Sequence, residues 1–141
     1  MTIATTPHLN FDGRAREALE FYGQALGVQP VMATYGQMGA TDDPSRADRI
    51  VWGQVETENG IRVMAFDVWP HQTYEQGQNA FYVYLSGDDP EEITAVWKGL
   101  SVGAEIRQEF GPSAWSPLAG QLRDQFGVIW ALDVRTPTEA N

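Results

Sequence analysis

The side chains of this sequence that could do chemistry are few. They are His8, Gln54, Glu56, Gln121 and Arg123, set among the rings and thioether of Trp52, Met64, Tyr82 and Tyr84. Cysteine is absent, which removes disulfides, thiolate nucleophiles and thiolate metal sites. The other histidine, His71, lies in a polar stretch with Gly and Pro and reads as a solvated loop residue. Ser45, Ser86, Ser101, Ser113 and Ser116 sit in loop or helix-end contexts with no Gly-x-Ser-x-Gly elbow, so a hydrolase triad has no support. Neither of the common glycine-rich phosphate motifs is present. Asp12, Asp88 and Asp89 read as helix starts, and Asp67 and Asp133 as polar exits of two strands rather than an acid/base pair. Rings mixed with a few convergent polar groups are the make-up of a small-molecule pocket.

Such groups converge only if strands bring them to one face. Thr6 to Phe11 alternates and ends at Asp12-Gly13, which predicts a strand leading into a helix. Ala15, Ala18, Leu19, Tyr22 and Leu26 recur at three- and four-residue steps, an amphipathic helix closed by Gly27. Val31 to Tyr35 is a second strand, and residues 36–48 are a loop. Arg49 to Glu56 and Ile61 to Val68 are strands around Thr57-Glu58-Asn59-Gly60, where Asn-Gly supplies the positive φ of a tight hairpin.

After the polar stretch Trp69 to Gln78, the order starts again. Asn79 to Leu85 reads as a strand, and Asp88-Asp89-Pro90 opens a helix with Ile93, Val96, Trp97 and Leu100 as its stripe. Gly103 follows it as Gly27 follows the first helix. A strand reaches Phe110-Gly111, and Leu118 to Arg123 with Val128 to Val134 form a second hairpin. The chain even repeats its wording: GQVETENGI at 53–61 returns as GQLRDQFGV at 120–128, and each leads to an Asp-Val. Two copies of a βαβββ module are therefore expected, an α+β fold whose curved mixed sheet surrounds a cleft. The first module takes residues 1–69, a linker 70–78, the second module 79–135 and a tail 136–141.

Strand alternation sorts the side chains. Leu9, Phe11, Val51, Val55, Ile61, Val63, Val83, Leu85, Val128 and Trp130 should meet the helices. The opposite parity carries Thr6, His8, Asn10, Trp52, Gln54, Glu56, Arg62, Met64, Phe66, Tyr82, Tyr84, Gln121, Arg123, Ile129, Ala131 and Asp133. The predicted pocket wall is drawn from it: His8, Trp52, Gln54, Glu56, Met64, Tyr82, Tyr84, Gln121 and Arg123. There the rings would stack on a ligand, Gln54 and Gln121 would orient it, and Arg123 with Glu56 would set the charge at one end.

Two copies of βαβββ resemble the vicinal oxygen chelate superfamily, which includes glyoxalase I, extradiol dioxygenases and bleomycin-resistance proteins. HLNFDGRAREALEFYGQALG and AWSPLAGQLRDQFGVIWAL are similar to the opening and closing signatures of its PhnB-like, glyoxalase-related subgroup, and the likeness covers nearly the whole chain. The chain departs from the subgroup pattern at Trp52, Ala114, Leu118, Ala119 and Gln125. Metal-dependent members hold a divalent ion with one ligand from each of four strands. Here the resemblance places those positions near Thr6 or His8, Met64 or Ala65, Tyr82, and Ala131, of which only His8 suits such an ion. No metal or other cofactor is expected, and His8 with Glu56 is the fallback pair if one binds.

The net charge of −10 argues against nucleic acid or an anionic membrane as partner. No apolar run approaches the ~20 residues of a membrane span, and the start has no signal-peptide pattern, so a cytoplasmic protein is expected. The leading expectation is a homodimeric, metal-independent protein that binds a small aromatic or cationic molecule. Its rivals are a metal-dependent glyoxalase-related lyase or dioxygenase, and a dimeric structural or partner-binding protein without ligand.

Overall fold

The computed structural model describes residues 3–135, so the predicted tail at 136–141 lies outside the described residues. The chain forms two compact units, Met1–Gln76 and Gly77–Asn141. The first contains β1 (His8–Phe11), α1 (Ala15–Leu26), β2 (Val31–Thr34), β3 (Ile50–Glu56) and β4 (Arg62–Asp67). The second contains β5 (Val83–Gly87), α2 (Pro90–Leu100), β6 (Glu105–Gly111), β7 (Ala119–Arg123) and β8 (Ile129–Val134). Their sheets run β1-β4-β3-β2 and β5-β8-β7-β6, each with one parallel pair and otherwise antiparallel. The expected tandem of βαβββ modules in an α+β fold is what the chain forms.

The repeated Gly-Gln phrase has a packing cause. Gly53 of β3 lies against Leu19 of α1, and a Cβ there would collide with the Leu19 Cδ1 and stand 3.2 Å from the Ala65 carbonyl. Gly120 of β7 lies against Trp97 of α2, where a Cβ would meet two ring carbons at 2.9 Å. In both modules the glycine lets one large helix side chain reach the sheet. The later glycines, Gly60 and Gly127, turn the hairpins at φ of 106° and 90°. Asn59 does not share the positive φ that its Asn-Gly pair predicts; Gly60 alone carries it.

Each helix buries one stripe. Ala15, Ala18, Leu19 and Tyr22 of α1 pack with Val55, Val63 and Ala65. Ile93, Val96, Trp97 and Leu100 of α2 pack with Leu122, Trp130 and Leu132. Each large apolar side chain so buried contributes about 1.5–3 kcal/mol. Trp97 also stacks on Phe110 at 4.9 Å between ring centroids.

Several expectations need correction. The second module's first strand begins at Val83, not Asn79; Asn79 and Tyr82 instead reach Arg107 of β6. A register shift between Ala33 and Thr34 leaves Val51 as the extra residue of β3, so Ile50, not Val51, is fully buried. The loop 36–48 holds a short 3₁₀ turn, Pro44–Arg46, capped by the Asp43 side chain. Gly27 caps α1 in the left-handed region, but α2 is capped by Ser101, and Gly103 only completes the following turn. Asp89 caps α2 through the Glu91 N–H, whereas Asp12 pairs with Arg49.

The two Asp-Val ends are not equivalent. Phe11 pairs with Asp67 in the first module, and Gly87 pairs with Val134 in the second. Gly87 lies against Ile93 of α2, so Val134 points toward the helix and Asp133 away from it. Asp67, on the helix side, is no polar exit. It is 1% exposed and accepts from the N–H groups of Gly13, Ala15 and Ile50, which makes it the N-terminal cap of α1.

Candidate functional site

The candidate site is the face of each sheet opposite its helix, taken module by module. In the first module, His8, Met64 and Gln54 form one row across three strands. The His8 ring shares a 2.8 Å hydrogen bond between Nδ1 and Asn10 Oδ1 and stands edge-on to Phe66 at 5.0 Å. The Arg62 guanidinium donates to Gln54 Oε1 at 2.8 Å and Thr6 Oγ1 at 3.4 Å, while Gln54 Nε2 donates to Glu56 at 3.4 Å. This polar chain fixes the amide of Gln54. Trp52 is 38% exposed, and Ala33 pairs with it.

The second module carries the matching row: Tyr84, Ala131 and Gln121. A methyl group thus stands where the first module has the Met64 thioether. Ala119 pairs with Asp133, and both small side chains beside Tyr84, Gln121 and Asp133, those of Ala119 and Ala131, are buried. The backbones of Tyr84 and Gln121 are two strand spacings apart, about 10 Å. Tyr84 Oη donates to Asp133 Oδ2 at 2.5 Å, and Ser86 Oγ donates to Asp133 Oδ1 at 2.6 Å. The bond to Asp133, then burial, then the carboxylate charge push the Tyr84 phenol from 10.0 up to about 12. Tyr84 therefore stays neutral and donates its proton inward.

The predicted wall residues fall into these two sets with qualifications. His8, Gln54 and Met64 share the first row, and Glu56 lies one row away, opposite Arg62. Tyr84 and Gln121 share the second. Tyr82 precedes β5, and its ring lies 5.6 Å from the Arg107 guanidinium. Arg123 pairs within its own module with Glu105 at 3.5 Å, so its charge is already balanced. Sequence reasoning put Asp133 on the correct face yet left it and Ser86 out of the wall. Their signal was parity: Tyr84 and Ser86 are two apart, as are Ala131 and Asp133.

The donor set does not suit a divalent metal ion. The corresponding positions of the paired parallel strands hold His8, Met64, Tyr84 and Ala131. They offer one imidazole, one thioether, one phenol engaged by Asp133, and one methyl group. Among the described residues no three His, Asp or Glu side chains are grouped to hold a metal ion. A separate groove of about 690 Å³ runs along the outer side of α1, between Arg16, Glu20, Gln24, Val28, Pro30 and Met32. Its only cation is occupied: Arg16 donates to the Asp48 carbonyl at 3.1 Å and touches the Met32 sulfur. The groove contains none of the predicted wall residues.

A family model for the Glyoxalase/Bleomycin resistance protein/Dioxygenase superfamily matches residues 7–132. This chain belongs to that superfamily. Among solved structures, the fold is similar to protein PA1353 from Pseudomonas aeruginosa, with a TM-score of 0.77 and 27% identity over 95% of this chain and 98% of that one. A PhnB protein from Bacillus cereus is similar at a TM-score of 0.72 and 25% identity, covering 94% of this chain and 99% of its own. Protein YjdN of Escherichia coli is 23% identical over 95% of this chain and 98% of its own length. The PhnB-like likeness read from the two terminal signatures is therefore upheld. Within the superfamily's βαβββ frame, the repeated glycines let Leu19 and Trp97 of the helices reach the sheets.

Proposed function

We propose that this superfamily member binds a small aromatic or cationic molecule without a metal, on the helix-distal faces of its modules. The observation that supports this reading most is the pairing of rows. His8–Met64–Gln54 and Tyr84–Ala131–Gln121 offer rings and amides where a metal centre would need several imidazoles and carboxylates. In the first module Gln54, held by Arg62, would orient a ligand against His8, Trp52 and Met64; in the second, Gln121 would do so beside Tyr84. Glu56, Tyr82 and Arg123 would form the margins. We propose further that the protein works as a homodimer; Phe81 at 89% exposed and Trp115 at 68% exposed are candidates for burial by a second copy.

The deciding experiment is a thermal melt of EDTA-stripped protein with Ni²⁺, Zn²⁺, Mn²⁺ and Fe²⁺, alongside elemental analysis of untreated protein. A ligand that binds only the folded state raises the midpoint by mass action. The expected result is no stoichiometric metal and no shift, with upward shifts from aromatic and cationic organic compounds. Stoichiometric metal with a clear shift would overturn the reading in favour of a lyase or dioxygenase, and would send mutagenesis to His8 and Glu56.

A further inference from the structure

Asp133 is a carboxylate without a counter-charge. It is 9% exposed, and its two oxygens are taken by two neutral hydroxyls, those of Tyr84 and Ser86. Among the described residues no cation pairs with it, because the second module's ion pair joins Arg123 to Glu105 instead. A carboxylate this far withdrawn from water with no counter-charge is costly, and a cation arriving next to it recovers part of that cost.

The hydroxyls determine how a cation would arrive. Each commits its proton to Asp133, so the lone pairs left on Tyr84 Oη and Ser86 Oγ point elsewhere as acceptors. Hydrogen bonding to the carboxylate polarises both oxygens and makes them better acceptors. Tyr84 is 56% exposed and offers its ring face as well. The arrangement presents acceptors and a buried negative charge, with no cation among them to attract an anion.

We infer that Asp133, Tyr84 and Ser86 form a cation-recognising group on the helix-distal face of the second module, selecting ligands that carry a protonated amine. This rests on the binding-protein reading above and narrows it: the ammonium donates to Tyr84 Oη and Ser86 Oγ, Asp133 stabilises its charge, and the apolar part lies against the exposed Tyr84 ring.

The test is isothermal titration of the full chain with three probes of similar shape: phenethylammonium, phenethyl alcohol and hydrocinnamate. The ammonium should bind about tenfold more tightly than the alcohol, and the carboxylate most weakly. Asp133→Asn should bring the ammonium-to-alcohol ratio close to one. Tyr84→Phe and Ser86→Ala, which keep the carboxylate, should each lower ammonium affinity by about threefold or more. They decide the question if Asp133→Asn does not fold, since undiminished preference in both would overturn the inference. Equal binding of ammonium and alcohol to the native protein would overturn it while leaving the pocket standing. Binding of none of the three probes would overturn both.

Discussion

The carboxylate of Asp67, the last residue of β4, accepts the backbone N–H of Ala15, the first residue of α1, at 3.1 Å across 52 positions of sequence. The same oxygen accepts from Gly13 at 2.7 Å, and its partner oxygen accepts from Ile50 at 2.9 Å. One buried side chain thus joins helix, strand end and loop. The residue at the head of α1, Arg14, makes no side-chain cap of its own.

Asp67→Ala should therefore destabilise the protein by about 2–4 kcal/mol, from three lost charge-assisted bonds and the donors left behind. Urea unfolding followed by circular dichroism measures this. A change under about 0.5 kcal/mol, the scale of an ordinary surface substitution, would mean that water or another side chain takes over the cap.

Gly53→Ala and Gly120→Ala should each cost about 1–3 kcal/mol, because Leu19 and Trp97 must leave their positions. The cause can be isolated by a double-mutant cycle. Gly53→Ala should cost markedly less in a Leu19→Ala background than alone, with a coupling of at least about 0.5 kcal/mol. Strict additivity would place the cost in the strand backbone instead.

Tyr84 gives the fold a signature in alkali. Its folded value, about 12, lies above the ordinary 10.0, so the folded state holds this proton more tightly than the unfolded chain. The stability it contributes is complete below pH 10 and is lost as pH rises from about 10 toward about 12. Tyr84→Phe should flatten that part of the stability curve, as measured by urea unfolding at several pH values. The tyrosinate absorbance titration should lose one late-titrating group in the same variant. Burial first, then Asp67, also raises Tyr35, and burial with Asp12 raises Tyr74, so the comparison must be made variant against native.

Asp124 closes the β7–β8 hairpin by accepting from Phe126 N at 2.8 Å, Val128 N at 3.0 Å and Trp130 Nε1 at 2.8 Å. The matching position in the first module is Thr57, whose hydroxyl accepts from Ile61 N at 3.0 Å. Asp124→Ala leaves the indole N–H of the fully buried Trp130 without this partner and should cost about 2–4 kcal/mol. Thr57→Ala should cost about 1–2 kcal/mol, since it removes two neutral bonds at the surface, the one from Ile61 N and the one to Asn59 Oδ1. Equal effects at the two hairpins would contradict the buried indole as the source of the difference.

Much of this fold could be read from the chain. The stripe Ala15, Ala18, Leu19, Tyr22 and the stripe Ile93, Val96, Trp97, Leu100 are periodic, and both helices appear where those periods run. The repeated glycines are local demands of turns and close packing, visible as repeated words. The first strand of the second module begins later than its apolar alternation predicts: Asn79 accepts from Arg107 and from the Tyr82 hydroxyl, and the Tyr82 ring lies against the Arg107 guanidinium. The parity of β3 slipped at Val51 because a bulge leaves no mark in an apolar run.

By itself the sequence determined the two βαβββ modules, their element order and the faces of their strands, because periodicity and glycine placement act over a few residues. Only the tertiary structure decided which side chains became neighbours. Asp67 and Asp133 stand before identical valines, yet one caps a helix from inside the sheet and the other gathers Tyr84 and Ser86 on the opposite face. Strand register sets that difference, since a step of one residue moves a side chain through the sheet and pairs it with partners half a hundred positions away.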